Sequence, residues 1–456
     1  MHQRAVCARP LIGLGYFRRN RRVRTPLSML NRPRRVIRKV LRSVYRRLPS
    51  RMQVPIGRLS RVQLRTETNS HLMLQEYGAG WAPLPVFADR AALPTLTIVT
   101  DSVDSDSLFG GVGTALVVGA VAASRLNARL RLVTRTTAPD PAALGQIIKA
   151  HRLEFNGPAD FAQMPLRTEK PLPVGPDDLI LTTSWWSTRA VLGSVSPDRV
   201  IYLLQEDERM FYPYNDMRLR CAETLREAGT RVLVNTQLLF DHLADGPDFL
   251  PGLRERGCSF EPAFPAFKRP QTIKAHADGK KNFFFYARPN HPRNLYWRGL
   301  EVIDRAVREG LLPADEWNFH FAGHDIRGIE LPGGVKPKVW SKMPWARYAD
   351  LISQMDLGLS LMDTPHPSYP PFDLAASGAV VITNTHGPKV SLDQWSRNII
   401  AVPPSVPDLV DAISRGVALA CDTETRFANC ADDRIARDWE SSLGPALERL
   451  LSLRSR

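Results

Sequence analysis

Short β-branched or aromatic runs recur along the chain, and each ends at a glycine or a polar cluster and leads into a helical stretch. A run such as TLTIVT at 95–100 does not alternate with polar residues. It therefore needs apolar cover on both faces, which suits a parallel strand between two helix layers. The series continues with a helix over 114–126, a strand over 129–134, a helix over 141–151, and strands over 179–183, 200–204 and 231–234. A Pro-, Lys- and Ala-rich break at 264–281 interrupts it. It restarts with NFFFYA at 282–287 and a helix over 294–309, then strands over 317–322, 338–340, 357–361 and 379–383. Helices are predicted over 348–355, 371–377 and 407–420, and a long amphipathic helix over 434–453. Two such series predict an α/β chain of two Rossmann-like halves, each of about 180 residues. The expected division is a basic arm at 1–62, a first half at 63–270, a second half at 271–430, and a C-terminal helix at 431–456 crossing back to the first half.

Charge is placed unevenly. The formal net charge is +15, yet all eighteen Lys and Arg before Gln63 stand there without one acid, so the rest is slightly acidic. Within that prefix, PRRVIRKVLRSVYRRL at 33–48 sets apolar residues at helical spacing opposite arginines. A basic amphipathic helix of this kind lies in the plane of an anionic membrane surface. A disordered arm, a transit peptide and a nucleic-acid arm compete with that reading, and a start at Met29 or Met52 would remove part of the prefix. The acidic body argues against nucleic-acid binding, because phosphate-backbone binders spread positive charge over the binding face. Five Cys are scattered without a C-x-x-C pair, which argues against a disulfide scaffold or zinc site and fits a reducing compartment. The longest apolar run of the body, near 114–123, is too short to span a bilayer. The expectation is a cytoplasmic protein with its arm on the inner face of the cell membrane.

In open α/β sheets ligands bind beyond the carboxyl ends of the strands, so the post-strand clusters are the candidate sites. Gly110 and Gly111 open a helix, where free N–H groups can meet a ligand or where a tight turn alone is needed. Arg288 and Arg293 flank the turn after NFFFYA and can chelate a diphosphate or stand solvated; Lys342 can add a third charge. Asp373 begins a helix after a Pro-rich loop, either to accept ribose hydroxyls or to complement the helix dipole. Glu206 and Asp207 are candidates for a catalytic base or an acceptor-orienting group, against a solvated acidic turn. Trp185 and Trp186 can stack on an acceptor sugar or belong to the core. Asp104-Ser105-Asp106 has the form of a metal-binding D-x-D, but no third ligand is evident nearby.

The segment PHPSYPPFDLAASG at 365–378, followed by AVVITN at 379–384, resembles the family 4 glycosyltransferases of the GT-B fold. With YARPNHPRNL at 286–295 and LLQEDERMFYP at 203–213, it is similar more narrowly to rhamnosyltransferases of surface polysaccharide synthesis. The resemblance covers 93–425 and implies two Rossmann-like domains whose parallel sheets face each other across a deep cleft. It implies that Arg288, Arg293 and Lys342 hold a donor diphosphate, and that Ser368, Tyr369 and Pro370 line the loop beside the phosphates. Asp373 would replace the second Glu of an E-x7-E motif, and Gly110 and Gly111 would lie near the donor sugar or acceptor. Pro365 stands where the first Glu is usual, and Asp373 is one methylene short, which points toward a deoxyribose nucleotide such as dTDP. The implied partners are a nucleotide-sugar donor, dTDP-rhamnose above others, and a glycan or lipid-linked glycan acceptor. Neither a metal nor a cofactor is implied. A nucleotide-sugar epimerase of the same fold and a basic nucleic-acid-binding protein are the rival readings.

Overall fold

The structure is a computed structural model, and it describes residues 69–90, 93–103, 110–270, 276–341 and 343–453. The basic arm, Asp104 to Asp106 and Lys342 lie outside the described residues. Residues 75–456 form one compact unit.

The strands of its first half are β1 (Val86–Ala88), β2 (Thr95–Thr100), β3 (Arg129–Thr134), β4 (Ala159–Gln163), β5 (Leu172–Val174), β6 (Leu179–Thr182), β7 (Val200–Leu204), β8 (Arg231–Asn235) and β9 (Gly257–Phe260). Those of the second half are β10 (Lys281–Ala287), β11 (Trp317–Gly323), β12 (Lys338–Ser341), β13 (Leu357–Leu359), β14 (Val380–Asn384) and β15 (Ile399–Val402). Two large parallel sheets result, one ordered β4-β3-β2-β6-β7-β8-β9 and the other β12-β11-β10-β13-β14-β15, and β1 pairs with β5 in a small third one. The fold is GT-B, two Rossmann-like α/β domains.

Period-two packing explains the central strands. Every residue of β2 is buried. Phe283 and Phe285 of β10 point into one apolar cluster with Val302 and Ile413, whereas Phe284 points into another with Phe372 and Ile352. Side chains on opposite faces of one strand thus build two cores, which is why the run is continuously apolar. The helix Gly111–Arg125 packs closely on β2: a Cβ at Gly119 would lie 2.3 Å from the Ile98 side chain.

Strand order sets the position of any ligand. In the first sheet the chain steps from β2 to β3 and β4 on one side, then returns to β6 on the other. In the second it steps from β10 to β11 and β12, then returns to β13. Loops leave in opposite directions at these two switch points, and crevices open between β2 and β6 and between β10 and β13.

The sequence pattern passed over β1, β4, β5, β9 and β15. They are short or lie at sheet edges: β4 is only half-buried, and β9 is GCSF. The long helix predicted over 434–453 begins only at Trp439, after an Asp438 N-cap, and a separate helix, Thr423–Ala431, precedes it. The final helix, Trp439–Ser452, does not pack on the second sheet. Trp439, Leu443, Leu447 and Leu450 lie in the first half's core with Leu116, Leu130 and Phe260. No described helix is long and apolar enough to cross a membrane.

Leu447 is 1% exposed in that core. Leu447→Ala leaves a cavity there and should lower unfolding free energy by about 2–5 kcal/mol, read by urea denaturation. A loss below about 1 kcal/mol would mean that the last helix is not part of the first half's core.

Candidate active site

Arg288 is the first residue beyond β10, and Arg293 lies in the Pro292–Asn294 turn that follows. Asp363 N–H donates to the Arg293 carbonyl at 2.8 Å, which closes the loop after β13 onto the loop after β10. Both arginines therefore stand at the second switch point. His291 Nε2 lies 2.6 Å from Arg288 Nη2. Burial first, then the charges of Arg288, Arg293 and His324, push the His291 pKa down to about 4. Cationic groups thus converge where the crevice opens, a setting suited to an anion.

A hydrogen-bond relay joins this edge to the first sheet. Asn235 Nδ2 donates to the Tyr369 phenol oxygen at 2.7 Å. The Tyr369 phenol is also 2.7 Å from Thr114 Oγ1, which donates to the Gly110 carbonyl at 3.2 Å. Burial pushes the Tyr369 pKa up to about 12, so the phenol keeps its proton. A second tie is the ion pair of Arg293 Nη1 with Glu206 Oε2 at 2.6 Å, with the guanidinium 4.4 Å from the Phe211 ring centroid.

Several expected roles change in this setting. Asp207 is not a free base. Arg209 grips its two oxygens at 2.8 Å each, and His242 Nε2 lies 3.4 Å away. Burial raises its pKa, but the His242 and Arg209 hydrogen bonds and the Arg209 charge outweigh it and hold the carboxyl well below the usual range. Glu206 is buried and committed to Arg293; burial raises its pKa, opposed by Arg293. It is a counter-charge in this state, not an open base. Trp185 is 0% exposed, with Nε1 donating to Tyr212 at 2.9 Å, so its ring belongs to the core and cannot stack on a sugar. Trp186 is partly exposed. Tyr369 spends its hydroxyl on the relay and Pro370 has no N–H, so neither side chain is a phosphate donor here. Ser368 is buried, and its N–H is taken by His366 Nδ1 at 2.9 Å. The Ser368 N–H and the Tyr369 hydroxyl are thus engaged within the protein.

Asp373 stands in the first turn of the helix Pro370–Ala376, 3% exposed. Tyr348 donates to its Oδ2 at 2.9 Å, and its Oδ1 has no hydrogen-bond partner. Burial pushes its pKa up to about 8, against the Tyr348 bond. Gly110 and Gly111 are exposed at the start of their helix, Gly110 at φ 98°, a value that favours glycine, and Gln205 Nε2 donates to the Gly111 carbonyl at 2.8 Å. Among the described residues no three His, Cys, Asp or Glu side chains cluster as a metal site would need. A cavity of about 710 Å3 beside edge strand β4, lined by Arg129, Arg131 and Asp160, holds none of these residues.

The sequence reading passed over Lys389. It is fully buried, its Nζ donating to the Met362 carbonyl at 2.9 Å. Burial pushes its pKa down to about 8, with Glu206 and Asp363 pulling the other way. It follows β14 in the run THGPK, so the post-strand rule that found Arg288 applied to it as well.

Residues 95–237 match the family domain described as WsaF, N-terminal domain, and residues 281–414 match WsaF, C-terminal domain. The chain carries the paired domains of the WsaF family. The first match begins at β2 and ends just beyond β8, and the second opens with β10, so each WsaF domain contains one switch point. The chain is also 28% identical over 290 residues to the O-antigen biosynthesis protein RfbC of Myxococcus xanthus, covering 60% of this chain and 21% of that protein. It therefore spans about a fifth of that relative's length. Among solved structures, Anabaena HepE in complex with UDP-glucose superposes with TM-score 0.54 at 14% identity, covering 79% of this chain and all of HepE. WaaG, a glycosyltransferase involved in lipopolysaccharide biosynthesis, superposes at 0.52 and 13% identity, covering 78% and 99%. At such identities the likeness is one of fold.

A buried acid whose folded pKa lies above its unfolded value costs stability as pH rises between the two. For Asp373 that window runs from the ordinary aspartate range to about 8. Asp373→Asn keeps an acceptor for Tyr348 and removes the cost. Its melting temperature should equal or exceed that of the parent chain, by a margin that grows from about pH 5 to about pH 8 and then levels off. A margin constant with pH would place the titration elsewhere.

Proposed function

We propose that the protein is a nucleotide-sugar-dependent glycosyltransferase of cell-surface polysaccharide synthesis. The observation that carries this reading is the pair of guanidiniums of Arg288 and Arg293 at the second switch point, with the neutral His291 imidazole between them and the carboxyl edge of the first sheet opposite. A nucleoside diphosphate leaving group gathers negative charge as the glycosidic bond to it breaks, and fixed guanidiniums stabilise that charge. The WsaF domains and the RfbC relative support a role in polysaccharide assembly.

In this reading Arg288 and Arg293 hold the diphosphate, joined by Lys342, and Asp373 Oδ1 takes a ribose hydroxyl. A diphosphate at Arg293 displaces Glu206. The donor is a dTDP-linked sugar, rhamnose in the reading that the 365–378 segment supports, and the acceptor is a glycan or lipid-linked glycan. Transfer proceeds without a metal, and the arm at 1–62 holds the enzyme at the anionic inner face of the membrane.

Titration calorimetry with dTDP and UDP tests the donor site. Arg288→Ala removes charge-assisted hydrogen bonds, each about 1.5–3 kcal/mol, and should weaken dTDP roughly tenfold to hundredfold. The parent chain should prefer dTDP to UDP. If Arg288→Ala leaves dTDP affinity unchanged, the diphosphate does not sit at this switch point; equal affinity for the two nucleotides removes support for the thymidine donor. Treatment with EDTA should leave sugar transfer intact, and its complete loss on chelation would overturn the metal-free reading.

A further inference from the structure

The first switch point carries a constellation that the donor site does not use. Asp101 directly follows β2, and Trp186 lies in the first turn of the helix Trp185–Leu192 that follows β6. A capping box of Ser184 and Ser187 holds that helix start in place. The Trp186 Nε1–H is shared by both Asp101 oxygens, at 2.9 and 3.1 Å, so the contact spans the crevice between β2 and β6. Both residues are partly open to solvent. The buried Trp185 ring packs edge-on against Trp186, at 5.9 Å and 87°, and fixes the indole from behind.

Arg135 completes the group. It directly follows β3, and its backbone N–H donates to the Thr100 and Asp101 carbonyls at 2.9 and 3.2 Å. The residue is 3% exposed, and its Nε and Nη1 have no hydrogen-bond partner. Burial raises the Asp101 pKa and lowers that of Arg135, and each charge opposes the shift of the other. Two buried guanidinium nitrogens without hydrogen bonds are costly, so the side chain marks a position that does something other than stabilise the sheet.

We propose that Asp101 and Trp186 bind the acceptor at this switch point, as a subsite for an uncharged sugar ring. Each Asp101 oxygen keeps lone-pair capacity beyond its share of the Trp186 N–H, and a carboxylate is an acceptor only, so it suits neighbouring hydroxyls that donate. The indole offers an apolar face to sugar C–H groups. Arg135 is a positioning residue: its backbone N–H ties β3 to the Thr100 and Asp101 carbonyls, and its charge, after the Trp186 hydrogen bond, opposes the rise that burial imposes on the Asp101 pKa. The inference rests on the glycosyl-transfer reading but concerns the other sheet, and the two can fail separately.

Saturation-transfer NMR of the full chain with methyl α-L-rhamnoside, methyl α-D-mannoside and methyl α-D-glucoside reads this subsite directly, with dTDP calorimetry run in parallel. At least one methyl glycoside should bind the parent chain. Asp101→Asn, which keeps an acceptor for Trp186, should weaken that glycoside tenfold or more and leave dTDP affinity unchanged. Arg135→Met should weaken it as well, and Arg135→Lys should restore part of the loss, whereas a merely structural Arg135 would shift melting temperature without that split. Binding of no methyl glycoside, glycoside affinity unchanged in Asp101→Asn, or an equal loss of dTDP affinity would each overturn the acceptor subsite. Failure of the parent chain to bind dTDP or UDP would count against the donor reading instead.

Discussion

The carboxyl edges of the two sheets meet through the partly buried phenol of Tyr369. Asn235 donates to Tyr369, Tyr369 lies against Thr114, and Thr114 donates to the Gly110 carbonyl, so strand β8, the Pro-rich loop and the first glycine turn share one relay. In a low-dielectric interior such a chain is stiff when every member is satisfied and costly when one is lost. The spacing between the cationic cluster on one sheet and the Asp101 crevice on the other depends on it. So does the place of the loop 366–370, whose Tyr369 hydroxyl reaches the first half.

Arg293 has two possible counter-charges. It pairs with Glu206 across the halves. A diphosphate that takes it leaves Glu206 buried, with Lys389 as the remaining nearby cation. In the proposed donor site, anion arrival at one sheet would be coupled to a carboxylate on the other, in a region where unpaired charge is expensive. Asp373 and Lys389, both with pKa values near 8, add groups whose charge responds to the same local environment.

The central strands were legible because burial on both faces writes itself into consecutive residues, as in β2 and β10. Edge strands β4 and β15 were not, since half-burial leaves a weaker pattern. Arg288 was legible as a charge just past a strand. Lys389 lies farther past its strand, beyond Asn384, and was passed over. For Asp207 and Trp185 the sequence left a ligand role open beside a plain one: both lie at the right edge of the right sheet, yet the one is gripped by its neighbour Arg209 and the other points down into the core. Position in a strand end is local information, and side-chain direction is not.

The sequence by itself determined that the chain forms two parallel α/β halves and that polar residues gather at the strands' carboxyl ends, because hydrophobic periodicity records how each segment is covered. Only the tertiary structure decided which strands lie side by side. That order places the switch points between β2 and β6 and between β10 and β13, brings Asp101 to Trp186 from residues 85 positions apart, and returns the last helix to the first core. The physical reason is that neighbouring strands are selected by packing among segments distant in the chain, and no single segment carries a record of its partner.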